Sequence, residues 1–204
     1  MKYKVFGIGA MKTGLTTLGE CLRILGFELQ YFSAKGLNEY ATNEYLSIEK
    51  MLDEHNAFVD LPWLLMYQEL YDRYPDAKFI LTVRDENDWY SSFWWHLLKI
   101  GGSFKWTKLI AGKNSKIIHT KKGKDVTISL YQNHNQKVKE FFSDKPGSLL
   151  VIDITKENDW QAICRFLDFS IPQSFFPHKN KRKGWLYNKL LNYLHRVKKL
   201  ILSN

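Results

Sequence analysis

Two sets of residues in this chain have the types and spacing for chemistry on a phosphate-like anion. The first is Gly9-Ala10-Met11-Lys12-Thr13-Gly14-Leu15-Thr16-Thr17. An apolar run precedes these small residues and a helical repeat follows them, so the turn's N–H groups converge and the helix N-terminus adds about half a positive charge. Against the pattern G-x-x-x-x-G-K-[ST], Gly9, Gly14 and Thr16 are in register, but Leu15 holds the lysine place and Lys12 lies inside the turn. An NTPase needs that lysine on its β- and γ-phosphates. The loop therefore reads as a phosphate site and poorly as an ATPase signature. The second set is Arg84 with Ser92 eight residues on. Arg84 ends the run Phe79-Ile80-Leu81-Thr82-Val83, where ligands bind in parallel sheets, and its guanidinium fork matches a phosphate. The competing reading of Arg84 is a surface pair with Asp85 or Glu86.

The elements that must position these residues alternate. Val5 to Gly9, Phe27 to Tyr31, Ala57 to Asp60, Lys78 to Val83 and Leu149 to Ile152 read as strands. Between them fall helical patterns: Leu15 to Leu25, stopped by Gly26; Glu44 to Glu54; Trp63 to Tyr74; Asn87 to Ile100; Thr127 to Phe142; and Asp159 to Leu167. Continuous apolar strands alternating with helices predict an α/β fold, a parallel sheet with helices on both faces.

Composition narrows the class. The chain has 204 residues, 45% hydrophobic and 25% charged, with 12 Gly and 5 Pro, which fits one globular domain and excludes disordered and collagen-like chains. No apolar run approaches the roughly 20 residues of a membrane span, and the first residues lead into a β-like run, so a cytoplasmic protein is expected. Cys21 and Cys164 lie in helix-like apolar segments and read as buried free thiols. No histidine or cysteine spacing implies a metal.

Net charge is +9, and its placement is uneven. Lys179, Lys181, Arg182, Lys183, Lys189, Arg196, Lys198 and Lys199 crowd the last 26 residues without an acid. Lys105, Lys108, Lys113, Lys116, Lys121, Lys122 and Lys124 form a weaker cluster in a surface loop or lid. Residues 181–204 read as a basic amphipathic C-terminal helix in which Leu186, Leu190, Leu194, Val197 and Ile201 share a stripe. Such a helix can dock on its own domain, pack in a homodimer, or lie peripherally on the inner face of an anionic membrane, where weak, salt-sensitive vesicle binding is expected. Nucleic-acid binding has no support beyond charge, since no finger, RNP-type or helix-turn-helix pattern occurs.

The ordered motifs resemble the sulfotransferases that use 3′-phosphoadenosine 5′-phosphosulfate (PAPS). Lys12-Thr13-Gly14-Leu15-Thr16-Thr17-Leu18 is similar to their 5′-phosphosulfate loop, with Leu15 departing where Thr is usual, and Arg84 with Ser92 is similar to their 3′-phosphate motif. The stretch Tyr74-Pro75-Asp76-Ala77-Lys78 and the later Trp160, Cys164, Pro172 and Phe176-Pro177 resemble one bacterial and eukaryotic branch of the family. Arg182-Lys183-Gly184 resembles a tripeptide that closes over the 3′-phosphate. The resemblance spans residues 3 to 180 and implies a three-layer, P-loop NTPase-like fold. It also implies PAPS as donor, adenosine 3′,5′-bisphosphate as product, no metal, and Lys12, Thr13, Gly14, Leu15, Thr16, Thr17, Arg84, Ser92, Arg182, Lys183 and Gly184 as donor-binding residues.

Sulfuryl transfer needs a cation for charge building on the bridging oxygen and a base for the acceptor's proton. Lys12 suits the first role. Asp60, ending the strand Phe58-Val59, is the expected base, its competing role being an N-cap of the Trp63 helix. His134 is the reserve base, with a helix-surface position as its competing reading. The acceptor is expected to be a small molecule or a glycan, including a lipid-linked one, partly lined by residues 101–124. A P-loop kinase or NTPase, using Asp153 after the strand Leu149–Ile152 for Mg²⁺, and a non-enzymatic basic adaptor are the alternatives.

Overall fold

The computed structural model describes residues 3–99, 109, 111–156 and 160–177. Five strands form one parallel sheet: β1 (Val5–Gly7), β2 (Leu29–Gln30), β3 (Ala57–Val59), β4 (Lys78–Thr82) and β5 (Leu149–Ile152), in the order β2-β3-β1-β4-β5. The order reverses direction at β1, so the ends of β3 and β4 flank the loop that leaves β1. Such a switch point is where open α/β sheets bind ligands.

Strand parity builds two cores. Phe6, Phe58, Phe79 and Leu81 enter one, and Val5, Ala57, Val59 and Ile80 the other, as successive side chains on a strand must. Register places Phe6 opposite Phe58 and Phe79, and their rings stack at 5.0 and 5.3 Å. Over this aromatic face lie α2 (Ala34–Thr42), α3 (Leu46–Glu54), α4 (Tyr67–Arg73) and α6 (Lys124–Phe141), through Leu37, Ile48, Leu70 and Val138. The aliphatic face is covered by α1 (Leu15–Ile24) and α7 (Gln161–Leu167), through Leu18, Leu22, Ile163 and Cys164. The expected three-layer fold is observed.

Local differences have local causes. The helix α2 escaped the periodicity reading, although Ser33 caps it by accepting the N–H of Gly36 at 3.0 Å, a cap visible in sequence. The Trp63 pattern divides at Met66 into a 3₁₀ turn (Trp63–Leu65) and α4, because Leu65 and Met66 bond back only three residues, to Pro62 and Trp63. The helix α5 (Glu86–Lys99) starts where Asp85 Oδ1 accepts the N–H groups of Asn87 and Asp88.

Both cysteines are free and buried, and burial, with Cys164 and Glu20 adding, pushes the Cys21 thiol up to about 12, which makes it a poor nucleophile. Among the described residues no helix is long and apolar enough to cross a membrane. Residues 181–204, with Arg182, Lys183 and Gly184, lie outside the described residues, as do Lys105 and Lys108.

Candidate active site

The loop after β1 is shaped by what stands behind it. Ile8 N–H donates to Ile80 O at 2.9 Å, which holds the departing chain against β4. A Cβ on Gly9 would stand 2.0 Å from Thr82 Oγ1 and 2.5 Å from Thr82 O, so only glycine passes there. Thr13 is fully buried. Its hydroxyl donates to Ala10 O at 2.6 Å, and Thr82 therefore supplies the proton of the 2.6 Å hydroxyl pair between them. The Thr13 N–H also bonds Ala10 O, at 3.3 Å. Thr13 thus braces the turn from inside.

Lys12 and Gly14 carry the reversal, with φ of 73° and 105°. Gly14 is the N-cap of α1, so the N–H groups of the next three residues face the loop without helical acceptors. Leu15 contributes backbone only, since its side chain is buried in the aliphatic core. Thr16 is exposed beside the loop and Thr17 is buried. A Cβ at residue 14 would come 2.3 Å from Ile154 Cγ2, on top of the strained φ. Gly14→Ala is expected to cost about 2–4 kcal/mol, a fall of roughly 4–16 °C in Tm, and to abolish binding of phosphate-like anions at the loop. Thermal melts check this, and an unchanged Tm would mean that the cradle is built otherwise.

Arg84 follows β4 and is half-buried. Its Nε is buried with no hydrogen-bond partner among the described residues. The surface-pair reading does not hold, because Asp85 caps α5 and Glu86 Oε1 accepts from Gln132 Nε2 at 2.7 Å. Two residues not singled out in the sequence set its position. The Tyr131 hydroxyl accepts the Arg84 N–H at 2.8 Å and donates to Arg84 O at 3.0 Å, and burial raises its pKa, keeping it protonated. Trp89 stacks on Tyr131 at 4.2 Å and donates Nε1–H to Met11 O at 2.8 Å. This aromatic clamp joins the loop after β1 to the end of β4. Ser92 lies on α5, half-buried, one turn beyond Trp89.

Asp60 ends β3 with φ of 76°, and its Oδ1 accepts the Leu61 N–H at 2.9 Å, so its side chain does not cap the Trp63 turn. Burial raises its pKa, against the opposing pull of the Leu61 N–H and of Lys12. His134, on α6, is no surface residue. Its ring reaches Ile8 O at 2.8 Å through Nε2, and burial lowers its pKa, so it is neutral. A carbonyl can only accept, hence Nε2 carries the proton and Nδ1 holds a free lone pair. Nδ1 has no hydrogen-bond partner among the described residues.

Asp60 and His134 meet in the wall of a cavity of about 280 Å³. The rest of that wall is mainly apolar, with Met11, Leu64, Trp89 and Phe93 prominent. From residues 101–124 the described contributors are Leu109 and Ile118, whereas Lys113, Lys116, Lys122 and Lys124 are exposed elsewhere. At the end of β5, Asp153 Oδ1 accepts from both the N–H and the hydroxyl of Thr155, which uses the carboxylate that the kinase reading needed.

A parallel sheet of this order, with a glycine turn opening a helix at its switch point, defines a P-loop-like α/β fold. Residues 4–185 match the sulfotransferase domain family, and the chain belongs to that family. It is similar to Ava biosynthesis cluster protein M of Aspergillus versicolor, 24% identical over 211 residues, covering 86% of this chain and 80% of that protein. Its fold is similar to the crystal structure of a sulfotransferase from Alicyclobacillus acidocaldarius, with a TM-score of 0.58 and 17% identity over 94% of this chain and 90% of that one. Membership supports transferase activity by class and disfavours the kinase alternative.

Proposed function

We propose that the chain transfers a sulfuryl group from PAPS to the hydroxyl of a small acceptor. The observation that carries this reading is the buried Arg84 Nε at the end of β4, without a hydrogen-bond partner among the described residues, joined through Tyr131 and Trp89 to a loop built for a second anion. Two anion positions fit a donor with phosphate at one end and phosphosulfate at the other. The N–H groups that open α1 after Gly14, without helical acceptors, fit the second of these. Arg84 and Ser92 would hold the 3′-phosphate, and Lys12, Gly14, Thr16 and the N–H groups opening α1 the 5′ end. PAPS, when bound, supplies an activated sulfuryl group and leaves adenosine 3′,5′-bisphosphate.

The chain's own residues do the rest. His134 Nδ1 takes the acceptor's proton, because its tautomer is set by Ile8 and it stays neutral. Asp60, half-buried near Lys12 and held by Leu61 N–H, orients the lysine. Lys12 offsets negative charge gathering at the loop.

Calorimetry in EDTA tests the donor: adenosine 3′,5′-bisphosphate should bind well and ATP poorly, and labelled sulfuryl should pass from PAPS to an acceptor panel. Tight Mg²⁺-dependent ATP binding without transfer would overturn the reading. Lys12→Ala should lower turnover by about 10²–10³-fold while changing product affinity only a few-fold, since its charge acts mainly on charge developing in the transition state. Single-turnover assays beside calorimetry separate the two effects.

A further inference from the structure

Among the described residues, the wall of the cavity beside the loop has a polar end, an apolar body and one further cation, Lys137. Asp60 and His134 stand at the polar end, and Leu64, Trp89 and Phe93 form much of the body. Lys137, also in the wall, is three residues beyond His134 on α6, so the two project from the same face with Cβ atoms about 5–6 Å apart. Lys137 is exposed and makes no hydrogen bond or ion pair with the described residues. Asp60, the other charged group in the wall among the described residues, is committed to Leu61 N–H and lies near Lys12.

We propose that this cavity receives a small amphipathic hydroxy acid, its hydroxyl at Asp60 and His134, its apolar body against Leu64, Trp89 and Phe93, and its carboxylate on Lys137. The inference deepens the transferase reading and rests on it for the word acceptor. Three features select this class. An apolar wall leaves the many hydroxyls of a sugar unsatisfied, which penalises a glycan. The cavity of about 280 Å³ lies at the small end of small-molecule sites, which suits a compact acid. An unpaired ammonium at the mouth of an apolar cavity attracts a carboxylate more strongly than it would in open water, because the cavity side lowers the local dielectric.

The test uses the full-length protein and a panel of hydroxyaryl and ω-hydroxyalkanoic acids of about that size, each compared with its methyl ester by calorimetry. The acid that binds best should bind about fivefold tighter than its ester, a preference that shrinks as salt is raised. In Lys137→Met acid and ester should bind alike, and Lys137→Arg should restore the preference. Acids and esters that bind equally to the unaltered protein, or a preference that survives Lys137→Met, would overturn the proposal. Lys137-dependent binding of an acid without any transfer from PAPS would support this inference while overturning the transferase reading, so the two fail separately.

Discussion

His134→Gln lowers turnover by about 10²–10⁴-fold, the range for removing a general base, while adenosine 3′,5′-bisphosphate binds nearly as before. Glutamine keeps a donor where Nε2–H meets Ile8 O but has no basic nitrogen in place of Nδ1, so packing and chemistry separate. Asp60→Asn is expected to cost less, acting through Lys12. A fully active His134→Gln with an inactive Asp60→Asn would transfer the role of base to Asp60. The same burial predicts a pH dependence. His134 titrates below its ordinary 6.5 in the folded protein because its charged form is desolvated. Between its folded pKa and 6.5 the unfolded chain binds more protons, so stability rises with pH through that window and is lost as pH falls below 6.5. Chemical denaturation of the native protein and of His134→Gln, from pH 7.5 down to pH 5, should show this component only in the native protein.

Arg84→Ala removes the preference for a 3′-phosphate. Truncating one partner of a buried charged pair costs about 2–5 kcal/mol, or roughly 30- to 4,000-fold in Kd. That loss should appear for adenosine 3′,5′-bisphosphate and hardly at all for AMP, because Arg84 Nε is buried away from the loop's own hydrogen bonds. Equal loss for both nucleotides would mean that Arg84 supports the loop as a whole. The backbone of Arg84 is held on both its N–H and its carbonyl by Tyr131, so the guanidinium starts from a fixed point and little ordering remains for a ligand to impose.

Much of this arrangement was legible along the chain. The central strands β1, β3 and β4 were read from apolar runs because both of their faces are covered, and a doubly buried strand cannot alternate, whereas β2 and β5, at the sheet edges, are only partly buried. The loop, Arg84 and Asp60 were placed at strand ends by adjacency alone. Individual roles within the loop were not legible. Thr13 and Leu15 sit in the same short motif as Lys12 and Thr16, yet Thr13 turns its hydroxyl inward to Ala10 and Thr82, and Leu15 turns into the core. Which side of a turn a residue faces depends on the strand behind it, and β4 is distant in sequence.

Sequence by itself determined the parallel α/β sheet, the glycine turn between β1 and α1 and the family, because each is written in short-range patterns: apolar runs, glycine placement and a cation at a strand end. Tertiary structure alone decided what α6 brings to the site. Its Val138 packs with Phe79 and Phe142 on the aromatic face. That seating carries Tyr131 to Arg84, His134 to a carbonyl 126 residues away and Lys137 to the cavity wall. A helical pattern shows which residues share a face, but what the face meets is set by the burial of the whole helix against a sheet assembled from segments far apart in the chain.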